Sequence, residues 1–481
     1  MARSTQPEHR RTRIIATVGP ASREPATLAE LVEAGVDVFR LNFSHGTAPE
    51  HAENIERIRA AAEGTGREVG ILGDLPGPKL RLGELADGVA VLHSASQVTM
   101  TAATGNEPGD AERLPVMWDG IAGAVSEGDT IFLADGRVRL RVLSVENGEI
   151  ACEIEAGGAV SSHQGVNLPG ADTELPDAGA HDREWIEFAI EHGVDLLAVS
   201  FVRRPSDLEA IATLLAERNA DIPLIAKIEK PQAAERAEEI VEAAESGIMV
   251  ARGDLGVELP LEQVAGTQKR LIGLAGKAAK PSITATQMLA TMVRASRPTR
   301  AEVTDVANAI YDGTDAVMLS EETAVGEHPV EAVRVMNRIA RATERDLPYG
   351  DWLFGRVDER DHDVSEAVAQ LAVAAAYRLG IAAIMVPTSS GRTARLVSAH
   401  RPRVPVVAIS PSLATVRRVN LLFGVRSMLG PEWTSLRALL DECAALAKQC
   451  GVADSGDIIA VTAGLPEQGL GTNLFEIHKV P

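Results

Sequence analysis

Three cysteines in 481 residues, Cys152, Cys443 and Cys450, are too few and too scattered for a disulfide framework or a zinc knuckle. They read as buried or incidental thiols of a reducing compartment. Basic residues are also in the minority, 47 against 68 acidic ones, and the formal charge is −21. Such a surface excludes general binding to nucleic acid or an anionic membrane, since both need basic patches. It leaves room for a phosphorylated small substrate, because a local group of Arg and Lys overrides the global field. No apolar run approaches the roughly 20 residues of a membrane helix. The N-terminus "MARSTQPEHRR" lacks the apolar core of a signal peptide. A soluble, cytoplasmic protein is expected. The absence of "GxxxxGK[ST]" sets aside a P-loop enzyme.

What the chain does have is one recurring unit: an amphipathic helix, a glycine, then a short apolar strand with polar residues at its far end. It occurs as "ELVEAGVDVFRLNFSH", "FAIEHGVDLLAVSF" and "AIYDGTDAVMLSEE". The glycine suits the left-handed position that closes a helix, and the apolar run suits a parallel strand buried on both faces. The template predicts strands at 14–17, 38–42, 69–74, 196–200, 224–228, 247–251, 282–286 and 316–319. Eight such units point to an α/β fold, a closed (β/α)₈ TIM barrel with its chemistry at the C-terminal strand ends. A doubly wound open sheet is the competitor that periodicity leaves standing. The polar strand tips, among them Arg40, Asn42, Asp74, Ser200, Lys227, Glu229, Asp254 and Thr286, favour the barrel.

Between Arg81 and about Gly170 the pattern alternates as strands do, with an Asn147-Gly148 turn pair, so a small β-barrel lid domain is inserted there. Expected boundaries are a tail at 1–9, the barrel at 10–81 and 171–345, the lid at 82–170, a charged linker at 346–362, and a C-terminal α/β domain at 363–481.

Several stretches carry chemistry. In "LIAKIEKPQA", Lys227 and Glu229 are two apart and share one face of a strand, a spacing that a solvated ion pair would also satisfy. "GIMVARGDLGVELP" ends a buried run in Arg252-Gly253-Asp254, where backbone N–H groups can meet an anion. Asp254 can join Glu229 on Mg²⁺, which is often held by one or two carboxylates plus substrate oxygens. A satisfied Arg–Asp pair is the alternative for that loop. "SITATQMLATM" presents Thr284 and Thr286, and "RPTRAEVTDVANAI" reads as a helix start with structural ion pairs. "FRLNFSHG" delivers Arg40, Asn42, Ser44 and His45, an arginine among small polar groups that suits a phosphate. Cations, a metal pair and an anion cradle under a covering domain are equipment for phosphoryl transfer.

The stretches "RTRIIATVGPAS", "FRLNFSHG", "AKIEKPQA", "MVARGDLGVELP", "ATQMLATM", "GVNLPG" and "RPTRAEVTDVANAIYDGTDAVMLSEETAVGEHPVEAV" resemble the pyruvate kinase family in its bacterial form. The resemblance implies phosphoryl transfer from phosphoenolpyruvate to ADP, giving pyruvate and ATP, and commonly a homotetramer. It implies that Lys227 neutralises the moving phosphoryl group and that Arg40 contacts the phosphate. Glu229 and Asp254 would bind Mg²⁺, with Mn²⁺ as a substitute. Backbone N–H groups of Gly253 and Asp254, with the Thr286 hydroxyl, would hold the substrate carboxylate, Thr286 standing near the carbon that is protonated. Asn42, His45 and Arg81 would approach nucleotide or cation.

Two departures stand out. In "LGDLPGPKLRLG" the family's usual threonine, lysine and glutamate are replaced by Leu75, Pro76 and Lys79. That glutamate accompanies a K⁺ held by groups like Asn42, Ser44 and Asp74, and members with lysine there tend not to need K⁺. Lys79 is therefore expected to serve as a built-in monovalent cation held by Asp74; a solvated hinge lysine is the alternative. Gln164 stands before "GVNLPG" where the family generally has lysine, which weakens an expected contact to nucleotide phosphate. In the C-terminal domain, Thr388, Ser389, Ser390, Gly391 and Thr393 of "PTSSGRTA" resemble the family's effector-phosphate loop, for a sugar phosphate or AMP. An ordinary strand-to-helix turn also uses these residues. The competing functions are a metal-dependent aldolase or lyase on the same substrates, and a metabolite sensor without catalysis.

Overall fold

The computed structural model describes residues 10–77, 80–103, 107–134, 136–169, 180–355, 363–433, 435–464 and 471–481. Eight parallel strands close a barrel: β1 (Arg13–Thr17), β2 (Val38–Asn42), β3 (Gly70–Asp74), β4 (Leu196–Val199), β5 (Leu224–Ile228), β6 (Ile248–Ala251), β7 (Ser282–Ala285) and β8 (Ala316–Leu319). β1 pairs with both β2 and β8, so the sheet has no edge and the open-sheet alternative is excluded. Most strand residues are buried because one face fills the barrel and the other meets the helices. Ile15, Leu72, Leu196, Ile225, Met249, Ile283 and Met318 belong to the barrel's inner packing. The glycines of the recurring unit, Gly35, Gly193 and Gly313, have φ of 117°, 64° and 98°, the left-handed turn from helix to strand that the pattern implied.

The aspartate two residues after each of these glycines also recurs, for a structural reason. Asp37 accepts the Ile14 N–H (2.8 Å), Asp195 that of Ile71 (2.7 Å) and Asp315 that of Ser282 (2.9 Å). Each is paired with an arginine: Asp37 with Arg13, Asp195 with Arg59 and Asp315 with Arg401. These carboxylates anchor the N-terminal strand ends, which leaves the C-terminal ends as the barrel's chemical face.

The insert after β3 is a curled six-stranded sheet and a two-stranded ladder around its own apolar core, including Val98, Ile131, Leu140 and Ile154. Its hairpin Val138–Glu146 and Glu149–Ala156 turns at Asn147 and Gly148, both at positive φ. The insert touches the barrel where Asn167 Nδ2 donates to Glu258 Oε1 at 3.5 Å, a carboxylate also paired with Lys230. The C-terminal domain is a five-stranded sheet with helices. Its strands run in the order Val425–Leu429, Val406–Ser410, Ala383–Pro387, Ile458–Gly464 and Thr472–Lys479, and only the last is antiparallel. The expected linker at 346–362 is partly a helix, Tyr349–Gly355, whose Tyr349 is buried against the barrel. Residues 356–362 lie outside the described residues. Among the described residues, no helix is long and apolar enough to cross a membrane.

Candidate active site

The C-terminal strand ends bring Lys227, Glu229, Asp74, Arg40 and Ser200 into one buried cluster. Lys227 Nζ lies 3.0 Å from Asp74 Oδ1, 2.9 Å from Glu229 Oε1 and 2.7 Å from Ser200 Oγ. An ammonium has three donors, and here all three are used. Arg40 Nε donates to the other Asp74 oxygen at 2.6 Å, and its Nη1 donates to Thr17 Oγ1 at 3.1 Å. Asp74 is thus the hub that aligns both cations.

The electrostatics follow from burial and pairing. Burial opposes the Asp74 charge, but Lys227 and Arg40 outweigh it and hold its carboxyl below the ordinary range. Burial opposes the charge on Lys227 as well, yet Asp74 and Glu229 keep it protonated to higher pH than a free lysine. Glu229 goes the other way. Its burial, with the charge of nearby Asp254, raises its carboxyl against the pull of Lys227. Glu229 Oε2 accepts the N–H of Phe201, which sits at φ 57° just beyond β4.

Two carboxylates of hard oxygen donors, one of them deprived of solvent, form a set that a divalent cation relieves. No group of three or more His, Cys, Asp or Glu ligands occurs among the described residues. An acid pair of this kind is a donor set that Mg²⁺ would fit, since that ion keeps waters and takes substrate oxygens.

Thr286 follows β7 at φ 68°, an outlying conformation for a β-branched residue. Its Oγ1 accepts the Gly253 N–H at 2.7 Å and donates to Ala285 O at 2.6 Å. The left-handed backbone is held by Arg252, which donates to Thr286 O (2.8 Å) and pairs with Asp305 (2.8 Å). Arg252 is thus satisfied by an aspartate, as the alternative reading of the loop had it, and among the described residues that aspartate is Asp305 on helix Arg300–Asp312. Glu302 closes the start of that helix in a capping box with Thr299, the structural part expected of "RPTRAEVTDVANAI". Asp254 lies in the first turn of helix Arg252–Glu258 and acts electrostatically on both Lys227 and Glu229.

At the tip of β2, Asn42 Oδ1 accepts the Ser44 N–H and Asn42 O accepts the His45 N–H, both at 3.2 Å. His51 supports this turn from beneath, with Nε2 2.8 Å from His45 O and its ring edge-on to Phe43 and Trp185. The buried Nδ1 has no hydrogen-bond partner among the described residues, so protonating the ring strands a charge, and burial holds His51 below the ordinary histidine value. The neutral ring is favoured on folding. Its stabilisation is full above an unfolded pKa of about 6.5 and is lost as pH falls through that value. Tm is therefore expected to drop between pH 7.5 and 5.5, and His51→Leu should flatten that limb in a thermal melt series.

Arg81 lies apart from the cluster, at the root of the insert, where it bridges to Gly165 and donates to His163 O. Gln164 Oε1 accepts the Ser161 hydroxyl nearby. Lys79 lies outside the described residues. The preceding hinge is tight: Gly77 has φ 65°, donates to Asp182, and leaves no room for a Cβ, which would sit 2.8 Å from that of Ser200. In the C-terminal loop, Thr388 Oγ1 accepts the Gly391 N–H and Thr393 is paired with Thr472 inside the domain, while Ser389 and Ser390 are exposed.

Sequence reasoning counted Ser200 among the polar tips but gave it no role. It missed Phe201, Thr17, His51 and the Arg252–Asp305 clamp altogether. A positive φ at Phe201 or Thr286 leaves no mark in composition or periodicity, and the clamp joins residues 53 apart.

Comparison with known proteins identifies the family. The model described as pyruvate kinase, barrel domain, matches residues 9–333, and that of the pyruvate kinase alpha/beta domain matches residues 366–478. A pyruvate kinase of Geobacillus stearothermophilus is 43% identical over 475 residues, covering 98% of this chain and 80% of the relative. One of Thermococcus litoralis is 42% identical over 481 residues, covering 99% of both. The crystal structure of a pyruvate kinase from Cryptosporidium parvum superimposes with a TM-score of 0.92 at 34% identity, covering 98% of this chain and 96% of that one.

Proposed function

The chain belongs to the pyruvate kinase family, phosphotransferases that pass the phosphoryl group of phosphoenolpyruvate to ADP, and we propose that its Lys227 cluster carries that transfer. The observation that supports this reading most is Lys227 Nζ held between the Asp74 and Glu229 carboxylates at 3.0 and 2.9 Å in a buried strand-end site. Lys227 neutralises the phosphoryl group as it moves, and Arg40 contacts the same phosphate from the other side of Asp74. Since all three Lys227 donors are engaged, substrate must replace one partner. Glu229 is the partner released, because its carboxylate is also wanted by the cation.

Glu229 and Asp254 are the residues that would hold Mg²⁺, or Mn²⁺ by the same oxygen chemistry. When bound, the metal supplies charge neutralisation and orients phosphate oxygens. Gly253 and Asp254 present backbone N–H groups to the substrate carboxylate, the Gly253 N–H exchanging its present acceptor, Thr286 Oγ1, for the carboxylate. The freed hydroxyl joins in holding that carboxylate and stands near the carbon that accepts the proton, through water. Asn42, His45 and Arg81 serve the nucleotide. Lys79 replaces K⁺ beside Asn42, Ser44 and Asp74. A homotetramer, and an effector phosphate on Thr388, Ser389, Ser390, Gly391 and Thr393, complete the proposal; Ser389 and Ser390 are its exposed hydroxyls.

The test is ATP formation against a Mg²⁺ titration. Chelation with EDTA should abolish activity. Glu229→Gln should raise the half-saturating Mg²⁺ by about tenfold or more, in line with the loss of one ionised ligand. An unchanged metal profile in Glu229→Gln, with the fold intact by circular dichroism, would place the metal elsewhere.

A further inference from the structure

His51 is a buried ionisable group that phosphoryl transfer leaves without a role. It lies on helix Ala48–Thr65, 5% exposed, directly under the turn that follows β2. Its Nε2 stands 2.8 Å from the His45 carbonyl oxygen. A carbonyl can only accept, so Nε2 carries the ring proton and Nδ1 is bare. The bare nitrogen has no hydrogen-bond partner among the described residues. Burying an unpaired ring nitrogen costs stability, so packing alone does not account for a histidine here. What the ring secures is the position of the His45 carbonyl.

The ring itself has little freedom. Phe43 and Trp185 meet it edge-on, with centroids 5.2 and 5.3 Å away, and Phe188 stands behind at 6.5 Å. From above, Gly46 crosses it at φ 78°, and a Cβ there would lie 3.2 Å from His51 Nε2. From its own helix, Glu50 returns to the Thr47 N–H at 2.9 Å and closes the helix start. The aromatic box also joins the turn to the root of the insert. Phe43 stacks on Trp185 at 4.4 Å, and Trp185 belongs to helix Ala180–Glu191, whose Asp182 accepts the Gly77 N–H at the hinge. Arg40, only two residues before Asn42, is fixed independently, by Asp74 at 2.6 Å and Thr17 at 3.1 Å. A disturbance at His51 therefore moves the turn and spares the phosphate-binding arginine.

We propose that His51 is a positioning residue for the nucleotide. Through the His45 carbonyl it holds the Asn42–His45 turn in the form that receives ADP, and it leaves the phosphoenolpyruvate contacts unchanged. This rests on the reading of Asn42 and His45 as nucleotide residues.

The experiment measures kcat and the KM values for ADP and phosphoenolpyruvate in the full-length protein, for the wild type, His51→Gln, His51→Asn and His51→Leu. Circular dichroism and a thermal melt establish that each variant is folded; where the leucine variant is not, the glutamine and asparagine pair decides. The glutamine amide nitrogen reaches roughly the place of Nε2 and that of asparagine the place of Nδ1, so only glutamine keeps a donor on the His45 carbonyl. The expected result is a KM for ADP raised about fivefold or more in the asparagine and leucine variants, the worth of about one hydrogen bond, and by less than about twofold in the glutamine variant. The KM for phosphoenolpyruvate should stay within about twofold throughout. A purely structural role would raise both KM values together or leave glutamine as impaired as leucine, and either result overturns the proposal.

His45→Ala tests the underlying reading separately. A higher KM for ADP in His45→Ala, with no change in the His51 series, overturns the role of His51 and leaves the nucleotide reading standing. No change in any variant overturns both. An ADP-selective loss in the His51 series that glutamine rescues, with His45→Ala unchanged, supports the proposal and assigns the nucleotide contact to the rest of the turn.

Discussion

Replacing Lys227 by alanine is expected to lower kcat by about 10³-fold or more while the KM for phosphoenolpyruvate changes far less. A cation within about 4 Å of a developing negative charge is worth roughly 4 kcal/mol at an effective dielectric of 20, and each 1.4 kcal/mol is a factor of ten in rate. Lys227 has the geometry to deliver that charge because Asp74 and Ser200 hold its ammonium in place while the donor now on Glu229 turns to the substrate. Its loss also leaves Glu229 buried without a cation, at a cost of order 3–5 kcal/mol to the apoprotein. Asp74 suffers less, since Arg40 stays at 2.6 Å. The rate effect must therefore be read on protein shown to be folded, by circular dichroism and a melt with saturating Mg²⁺. Lys227→Met, which keeps the stem, should show the same rate loss with a smaller fall in Tm. A folded Lys227 variant with kcat within tenfold of the wild type would remove this residue from the phosphoryl path.

The second large effect concerns Lys79. With Lys79→Ala, activity in buffer free of K⁺ and NH₄⁺ is expected to fall by as much as about 10³-fold, the same Coulomb arithmetic applied to a second cation. Adding K⁺ should restore a substantial part, since Asn42, Ser44 and Asp74 remain to receive it. The wild type should ignore K⁺. The sign matters more than the size: a variant that gains a K⁺ requirement identifies Lys79 as the resident cation. A variant as active as the wild type without K⁺ would make Lys79 a solvated hinge residue.

The barrel was legible because its signal is local and repeated. Helix, glycine and buried run recur within some fifteen residues, and the predicted strand bounds agree with the observed ones within one residue. Polar residues at the far ends of apolar runs marked the chemical face, and Arg40, Asp74, Lys227 and Glu229 indeed converge there. Their order around Asp74 was not legible. The pairing of residue 74 with residue 227 depends on β3 and β5 standing on either side of β4, a consequence of closure that no window of sequence contains. The strain at Thr286 was hidden for another reason, since a threonine after "SITA" reads as continued strand and only the Arg252 clamp turns it over. Helix Tyr349–Gly355 was masked by the surrounding charge and glycine, which made a packed element look like a linker.

The most direct single measurement is ATP formation by the wild-type protein from phosphoenolpyruvate and ADP with Mg²⁺, in buffer stripped of K⁺ and NH₄⁺, followed by addition of K⁺ to the same sample. The account predicts turnover at once, changing by less than about twofold when K⁺ is added, because the cation it would bring is already present. Turnover that appears only with K⁺ would contradict the role given to Lys79. No ATP under either condition would contradict the assignment of the Lys227 cluster to phosphoryl transfer.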